Sequence, residues 1–158
     1  MIKKMLLIYN PYAGTGKIKE WLSDTIEAFT LAGYDVMVRP TLKNKDTSLV
    51  VEEYLEKHQL DKIVCSGGDG TLNRVVNGVI LSGKQINIGY IPAGTTNDFA
   101  YNLGISKSPK QAVKVAIGGV PFKCDAGSIN GTYFTYVSAF GIFTDASYKT
   151  LQTPKSLL

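Results

Sequence analysis

Short apolar runs alternate with amphipathic runs along the first two thirds of the chain. Met5–Tyr9 is continuously apolar, and apolar side chains from Ile18 to Phe29 then recur at intervals of three to four residues until Gly33. The run predicts a buried strand, and the spacing predicts an amphipathic helix that ends at a glycine. The alternation continues with strands at 35–39, 62–65 and 86–91 and helices at 47–59, 72–81 and 109–117.

This order of elements predicts the fold class. Strands that alternate with helices through short connections form an α/β fold, an open and mostly parallel sheet with helices on both faces. The pattern changes after Gly118-Gly119, where strand-like runs at 122–129 and 133–139 flank Asn130-Gly131, a dipeptide typical of a two-residue hairpin turn. We therefore predict an α/β domain at 1–125 and the β-rich start of a second, truncated domain at 126–158.

Composition places the chain among globular proteins. Its 158 residues are 44% hydrophobic and 19% charged, which excludes disordered, collagen-like and disulfide-scaffold classes. Seventeen Lys and Arg against 13 Asp and Glu give a net charge of +4, which suits an anionic partner such as phosphate, a membrane or nucleic acid without choosing among them. Cys65 and Cys124 form no CxxC pair, and we expect both to be reduced core thiols in a cytoplasm.

The N-terminal apolar run is too short to direct the chain to or through a membrane. It stops at Asn10-Pro11, before the long apolar region of a signal peptide, and no run of the chain reaches the ~18 apolar residues of a transmembrane helix. We expect a soluble, cytoplasmic chain.

Three glycine-containing loops follow predicted strands at 10–17, 66–71 and 92–98. Because ligands of an open parallel sheet bind outside the carboxyl ends of its strands, the loops should converge on one rim. Glycines let backbone N–H groups approach an anion, and each helix that follows adds its positive N-terminal end. The sequence therefore predicts phosphate binding at this rim.

Two common phosphate motifs fit the first loop poorly. Gly14-Thr15-Gly16-Lys17 is similar to part of a P-loop, but Pro11 stands where the first glycine belongs and Ile18 follows the lysine. A Rossmann GxGxxG fails because Lys19 takes the place of the third glycine. In the second loop, three glycines bracket Asp69, a carboxylate that a tight turn alone does not require.

Together the loops resemble the catalytic domain of diacylglycerol kinases in their soluble bacterial form. The motifs are Asn10-Pro11 with its glycine loop, Gly67–Asn73 and Pro92–Ala100, and Asp125-x-Gly127 continues the match. The Gly-Gly-Asp-Gly-Thr element is shared with NAD kinases and sphingosine kinases, whereas the third loop favours the lipid kinases. NAD kinase, a sphingosine-kinase-like enzyme and a truncated nucleotide-binding fragment without turnover remain alternatives.

The resemblance implies a kinase that transfers the γ-phosphoryl group of MgATP to a lipid hydroxyl, most of all that of diacylglycerol, giving phosphatidic acid. It implies a peripheral location at the membrane where the lipid lies, and no nucleic-acid partner. It makes 1–125 a nucleotide-binding domain whose binding residues are Asn10, Pro11, Gly14, Thr41, Gly67, Gly68, Asp69, Gly70, Thr71, Leu72, Asn73 and Thr95. It also implies catalytic roles for Asp69 and Asp98 and a magnesium site at Asp69, Asp98 and Asp125.

The chain departs from the family pattern at one motif position. Arg74 stands where a glutamate is usual, so it could contact phosphate, repel magnesium or have no effect. Lys17 could neutralise phosphate charge or be a solvated side chain at a helix start, and we expect no catalytic role for His58. Because a rim carboxylate is not a packing residue, we expect Asp69→Ala to leave thermal stability nearly unchanged.

A second departure concerns length. The resemblance places a glutamate general base in a further β-rich domain beyond Leu158. We therefore expect the 158 residues alone to bind nucleotide weakly, to be inactive, and to self-associate through exposed strand edges or form a homodimer.

Overall fold

The computed structural model describes residues 2–135. The strands are β1 Lys3–Tyr9, β2 Tyr34–Pro40, β3 Lys62–Gly67, β4 Asn87–Pro92, β5 Gly127–Ile129 and β6 Thr132–Phe134. The helices are α1 Ile18–Leu31, α2 Thr47–Lys57, α3 Asp69–Leu81, α4 Asp98–Asn102 and α5 Pro109–Gly118. No helix within this range is both long and apolar enough to span a bilayer.

The first four strands form one parallel sheet in the order β2-β1-β3-β4. Tyr9 at the end of β1 lies opposite Pro40 of β2 and Ser66 of β3, and Gly67 lies opposite Pro92 of β4. The strands therefore end at one level, and the three loops leave the sheet side by side. The predicted α/β fold with a parallel sheet is confirmed.

Helices cover both faces of this sheet. Leu6 and Ile8 pack with residues of α2 and α3 on one face, whereas Met5 and Leu7 pack with residues of α1 and α5 on the other. Burial on both faces explains why β1 is continuously apolar rather than alternating. Because helices cover both faces, the polar loops lie at the ends of the strands.

The strand order creates a crevice between the loops after β1 and β3. The chain passes from β1 to β2 on one side and then crosses, through α2, to β3 on the other side of β1. Such a switch in direction is where ligands bind in open α/β sheets. The topology therefore sets the first two loops on either side of a binding crevice.

Two local predictions from the sequence need correction within the α/β part. Helix α3 begins at Asp69 rather than at residue 72, so half of the second glycine loop is the first helical turn. Helix α4 was not predicted, because its five residues are too few to show a helical period.

The predictions after α5 were only partly right. β5 and β6 form the predicted antiparallel hairpin, but the strand predicted at 122–129 is wrong over 122–126, which pair with no strand within residues 2–135. Phe122 is 70% exposed and Cys124 is exposed rather than in the core, because none of the elements in the described range covers this stretch. Residues 136–139 of the second predicted strand lie outside the described range, and the domain boundary at residue 125 stays a prediction.

Candidate functional site

Residues 10–17, which we call loop 1, are tied to the loop that follows β3. The backbone N–H of Asn10 donates to the Ser66 carbonyl at 2.9 Å, and its side-chain Nδ2 donates to Thr71 Oγ1 at 3.3 Å. Asn10 Oδ1 accepts the N–H of Tyr12 at 2.9 Å, which folds loop 1 back over the strand end. The predicted residue Asn10 therefore joins the first two loops.

Gly14 brings loop 1 against residues 92–98, which we call loop 3. Its φ is +56°, and a Cβ at this position would lie 2.5 Å from the carbonyl oxygen of Ala93. Both the left-handed backbone and the lack of space require glycine here. Pro11 is half-buried, with its carbonyl oxygen 3.8 Å from where a Cβ on Gly16 would lie, and Lys17 is exposed at the start of α1.

The loop after β3, residues 66–71, runs directly into α3, and we call it loop 2. Gly68 is the N-cap residue of α3, and no side chain caps this helix end. An uncapped helix start presents N–H groups and a positive dipole end to an anion. Gly67 precedes this N-cap, Gly70 and Thr71 belong to the first turn of α3, and Leu72, 2% exposed, belongs to the core.

The backbones of loops 2 and 3 also touch. A Cβ on Gly94 would lie 2.6 Å from the Cα of Gly68 and 2.8 Å from Asn97 Oδ1. The backbone N–H of Ala93 donates to the carbonyl of Gly67 at 2.8 Å. All three predicted loops therefore meet at one rim, as the sequence led us to expect.

Asp69 has a structural role that the sequence does not show. Its Oδ2 accepts the N–H of Asp98 at 2.9 Å and its Oδ1 accepts the N–H of Phe99 at 3.2 Å. The carboxylate thus holds the first turn of α4 against the start of α3. Since an ionised carboxyl group has about four lone-pair sites, both oxygens keep acceptor capacity for a water or a cation. The expectation that Asp69→Ala spares stability has to be revised.

Asn97 and Tyr90 hold the backbones of loops 3 and 2 through hydrogen bonds, and neither was predicted from the sequence as a site residue. Asn97 has φ +54°, and its side chain exchanges two hydrogen bonds with Gly94, at 2.8 Å from the Gly94 N–H and 2.7 Å to its carbonyl. The Tyr90 hydroxyl donates to the Gly67 carbonyl at 3.2 Å, and burial, with the charge of Asp69 adding to it, raises its pKa. Only the tolerance of asparagine for positive φ could have pointed to Asn97.

The predicted magnesium ligands are brought together only in part. Asp98 follows Asn97, and the backbone N–H of Asp98 donates to the carboxylate of Asp69. Within residues 2–135, no three acidic, histidine or cysteine side chains group closely enough to hold a metal ion, so Asp125 does not join the other two there.

Asn73, a predicted nucleotide-binding residue, has its Oδ1 buried without a hydrogen-bond partner within residues 2–135.

The remaining predicted residues lie around this rim. The N–H of Thr41 donates to the carbonyl of Tyr9 at 2.8 Å, and Thr41 lines a cavity of about 360 Å³ between the end of β2 and α2. Arg39, Lys45 and His58 also line this cavity. Thr95 is exposed in loop 3. Arg74 is exposed on α3, where its charge adds a smaller effect to the hydrogen bonds from Ser48 that lower the pKa of Asp46.

This arrangement can bind a phosphate chain. It combines an uncapped helix start, glycine backbones at the crevice of a parallel sheet and two neighbouring aspartates. The positive helix end and N–H groups suit phosphate oxygens, and aspartate oxygens suit a hard divalent cation.

Comparison with known proteins gives one consistent family. The family described as "Diacylglycerol kinase catalytic domain" matches residues 4–129. A diacylglycerol kinase of Staphylococcus epidermidis is 37% identical over 158 residues, which cover 100% of this chain and 50% of that protein. A diacylglycerol kinase of Bacillus subtilis is 35% identical over 158 residues, covering 99% of this chain and 52% of that protein.

Solved structures agree with the sequence relatives. A crystal structure of a diacylglycerol kinase from Bacillus anthracis superposes with a TM-score of 0.73 at 30% sequence identity. The match covers 84% of this chain and 45% of that one. The chain thus spans about half the length of the relatives it matches.

Proposed function

This chain belongs to the family of diacylglycerol kinase catalytic domains, and from that premise we propose that it binds MgATP where loops 1, 2 and 3 meet. The bound nucleotide would donate its γ-phosphoryl group to the hydroxyl of a lipid, diacylglycerol first. In that transfer the bond from the γ-phosphorus to the ADP oxygen breaks, a bond to the lipid oxygen forms, and the hydroxyl proton leaves to a base.

One observation carries the nucleotide proposal. The backbones of the three loops are in contact at Gly14 with Ala93 and at Gly68 with Gly94, and the uncapped start of α3 lies among them. Only glycines allow this approach, and such an approach sets backbone N–H groups around a phosphate chain. The cavity beside Thr41 offers room for the nucleoside end.

Asp69 and Asp98 are the residues that would hold magnesium, directly or through water. Their chemistry fits, since Mg²⁺ is bound in proteins by one or two carboxylates while it keeps several waters. When bound, the ion would supply neutralisation of charge on the phosphate oxygens. This chain's own contribution would be positioning, because Asp69 fixes the backbone of Asp98 and Phe99 while its carboxylate keeps lone pairs free to accept further bonds.

The lipid acceptor is supported by the relatives rather than by the rim. The similar proteins are named diacylglycerol kinases, and a net charge of +4 suits an anionic membrane surface. We propose that the chain acts at the membrane, with the lipid as its partner.

Titration calorimetry tests the nucleotide site. We expect the wild-type chain to bind ATP more tightly with Mg²⁺ than without it, and Asp98→Ala to lose that difference. Asp24→Ala, which removes an exposed acid from α1, serves as the control and should bind like the wild type. Equal binding with and without Mg²⁺ in the wild type would remove both aspartates from the metal site.

A transfer assay tests the acceptor. Labelled ATP is supplied with vesicles that contain diacylglycerol, with sphingosine, or with NAD in solution. Residues 1–158 alone should transfer phosphate at least ~100-fold more slowly than a protein that also supplies the general base, and what label is transferred should be in the diacylglycerol fraction. Label in sphingosine or NAD would assign the chain to one of the two alternative kinases, and MgATP binding without transfer would make it a nucleotide-binding unit.

A further inference from the structure

Within residues 2–135, the hydrogen bonds between hairpin β5–β6 and the α/β layers are made by one side chain. Asn77 on α3 donates from Nδ2 to the carbonyl of Tyr133 at 2.7 Å and accepts the N–H of Tyr133 at its Oδ1 at 2.9 Å. Within residues 2–135, these are the hydrogen bonds that tie the hairpin to the rest of the fold. A strand thus pairs with an amide side chain as it would with another strand.

Asn77 is also connected to loop 2. Its Nδ2 donates to the backbone carbonyl of Asn73 at 2.8 Å, one helical turn nearer to the start of α3. Asn73 is the last residue of the Gly67–Asn73 segment, and its own Oδ1 is buried without a partner in the described range. One amide group therefore bridges the end of the phosphate-binding segment and the hairpin.

The helix that carries Asn77 is held firmly on its other side. A Cβ on Gly78 would lie 2.4 Å from the carbonyl oxygen of Ser48 and 2.6 Å from Cβ of Val51, so α3 packs tightly on α2 at this level. Asn77 itself is 9% exposed. A buried amide on a fixed helix has little freedom to take other partners, and a buried polar group that loses its partners is costly.

We propose that Asn77 is a positioning residue that holds hairpin β5–β6 on α3 and couples the hairpin to nucleotide occupancy of Gly67–Asn73. The coupling rests on the proposed function, whereas the holding role does not. Two sites that bias one element must influence each other reciprocally. Nucleotide bound at loop 2 then stabilises the docking of the hairpin on α3. Loss of the Asn77 contacts removes this effect of the nucleotide on the hairpin.

Hydrogen exchange of the Tyr133 amide measures the contact directly, because that N–H donates to Asn77. We expect Asn77→Asp to speed its exchange roughly ten-fold or more at neutral pH, since the donor to two carbonyls is replaced by an oxygen that repels them. Amides of β1 and β3 should keep their protection. At mildly acid pH, protonation of the introduced carboxyl restores a donor, so protection at Tyr133 should return after correction for intrinsic exchange.

Two further variants complete the design. Asn77→Ser keeps a hydroxyl for the Asn73 carbonyl but is too short for Tyr133, so it should lose protection without recovering it in acid. Asn87→Asp makes the same chemical change at an exposed position at the start of β4 and should leave Tyr133 unchanged. Continued protection of Tyr133 in both Asn77 variants would overturn the proposal.

Hydrogen exchange of the Tyr133 amide in the presence of MgATP measures the coupling. Exchange at Tyr133 should slow in the wild type but not in Asn77→Asp, and calorimetry should show weaker MgATP binding in Asn77→Asp by about the factor by which MgATP slows this exchange in the wild type. MgATP binding that leaves wild-type Tyr133 unchanged would overturn the coupling. If the wild type binds no MgATP, the proposed function fails and the coupling with it, while the variants without nucleotide alone decide whether Asn77 positions the hairpin.

Discussion

Removal of the Asp69 carboxylate should damage the fold and the nucleotide site together. Asp69→Ala deletes the acceptor of two backbone N–H groups, those of Asp98 and Phe99, at 2.9 and 3.2 Å. Hydrogen bonds to charged groups contribute ~1.5–3 kcal/mol each, but Asp69 is half-buried and water replaces part of the loss. We expect destabilisation of about 2 kcal/mol, which lowers Tm by roughly 4–8 °C in a domain of this size.

Asp98→Ala is the matched comparison. It also removes a carboxylate from the rim, yet its backbone N–H still donates to Asp69. This variant should lose magnesium-dependent nucleotide binding while its Tm stays within roughly 2 °C of the wild type, as for a change away from the packed core. Asp125→Ala, on an exposed residue, should change neither property.

Thermal melts by circular dichroism and exchange of the Asp98 and Phe99 amides provide the assay. Faster exchange of both amides in Asp69→Ala, with no change in Asp98→Ala at Phe99, would support the account. A Tm equal to that of the wild type, with both amides still protected, would refute the structural role of Asp69.

Three further variants test other parts of the account. Gly94→Ala sets a Cβ 2.6 Å from a Cα of loop 2 and should weaken MgATP binding roughly ten-fold, about 1.4 kcal/mol, whereas Gly118→Ala, where the Cβ meets nothing, should not. Asp46 accepts the N–H and hydroxyl of Ser48, which lowers the pKa of Asp46. Asp46→Ala should therefore lower the free energy of unfolding by about 1 kcal/mol at neutral pH. Urea melts should show a progressively smaller loss as pH falls through that pKa. Arg74→Glu should raise the pKa of Asp46 and move this acid-side loss of stability to higher pH.

The elements with strong periodicity were predictable, and the short ones were not. Strand β1 is a run of apolar residues, and helix α1 repeats its apolar residues with a helical period. Such patterns predict the element from the local sequence alone. Helix α4 depends instead on tertiary contacts, since the Asp69 carboxylate and the left-handed Asn97 set its start. Phe122 shows the opposite limit, since its apolar side chain did not suffice to form a strand, and no strand within residues 2–135 pairs with this stretch.

The same division holds for the rim. The three loops could be placed together because the ends of parallel strands share one edge, and Gly14 and Gly68 then follow from the need for close backbone approach. Tyr90 and Asn77 were not predictable from the sequence. Their partners, at Gly67 and Tyr133, are set by register and by helix position, which a single sequence does not show.

Nuclear magnetic resonance of the 158-residue chain during MgATP titration tests the central claim most directly. We expect shifts of backbone amide signals concentrated in loops 1, 2 and 3 and the first turn of α3. Amides at the opposite edge of the sheet, such as those of Asp61 and Asn87, should not move. Shifts centred on that opposite edge, or none at saturating MgATP, would contradict a nucleotide site at the three-loop rim.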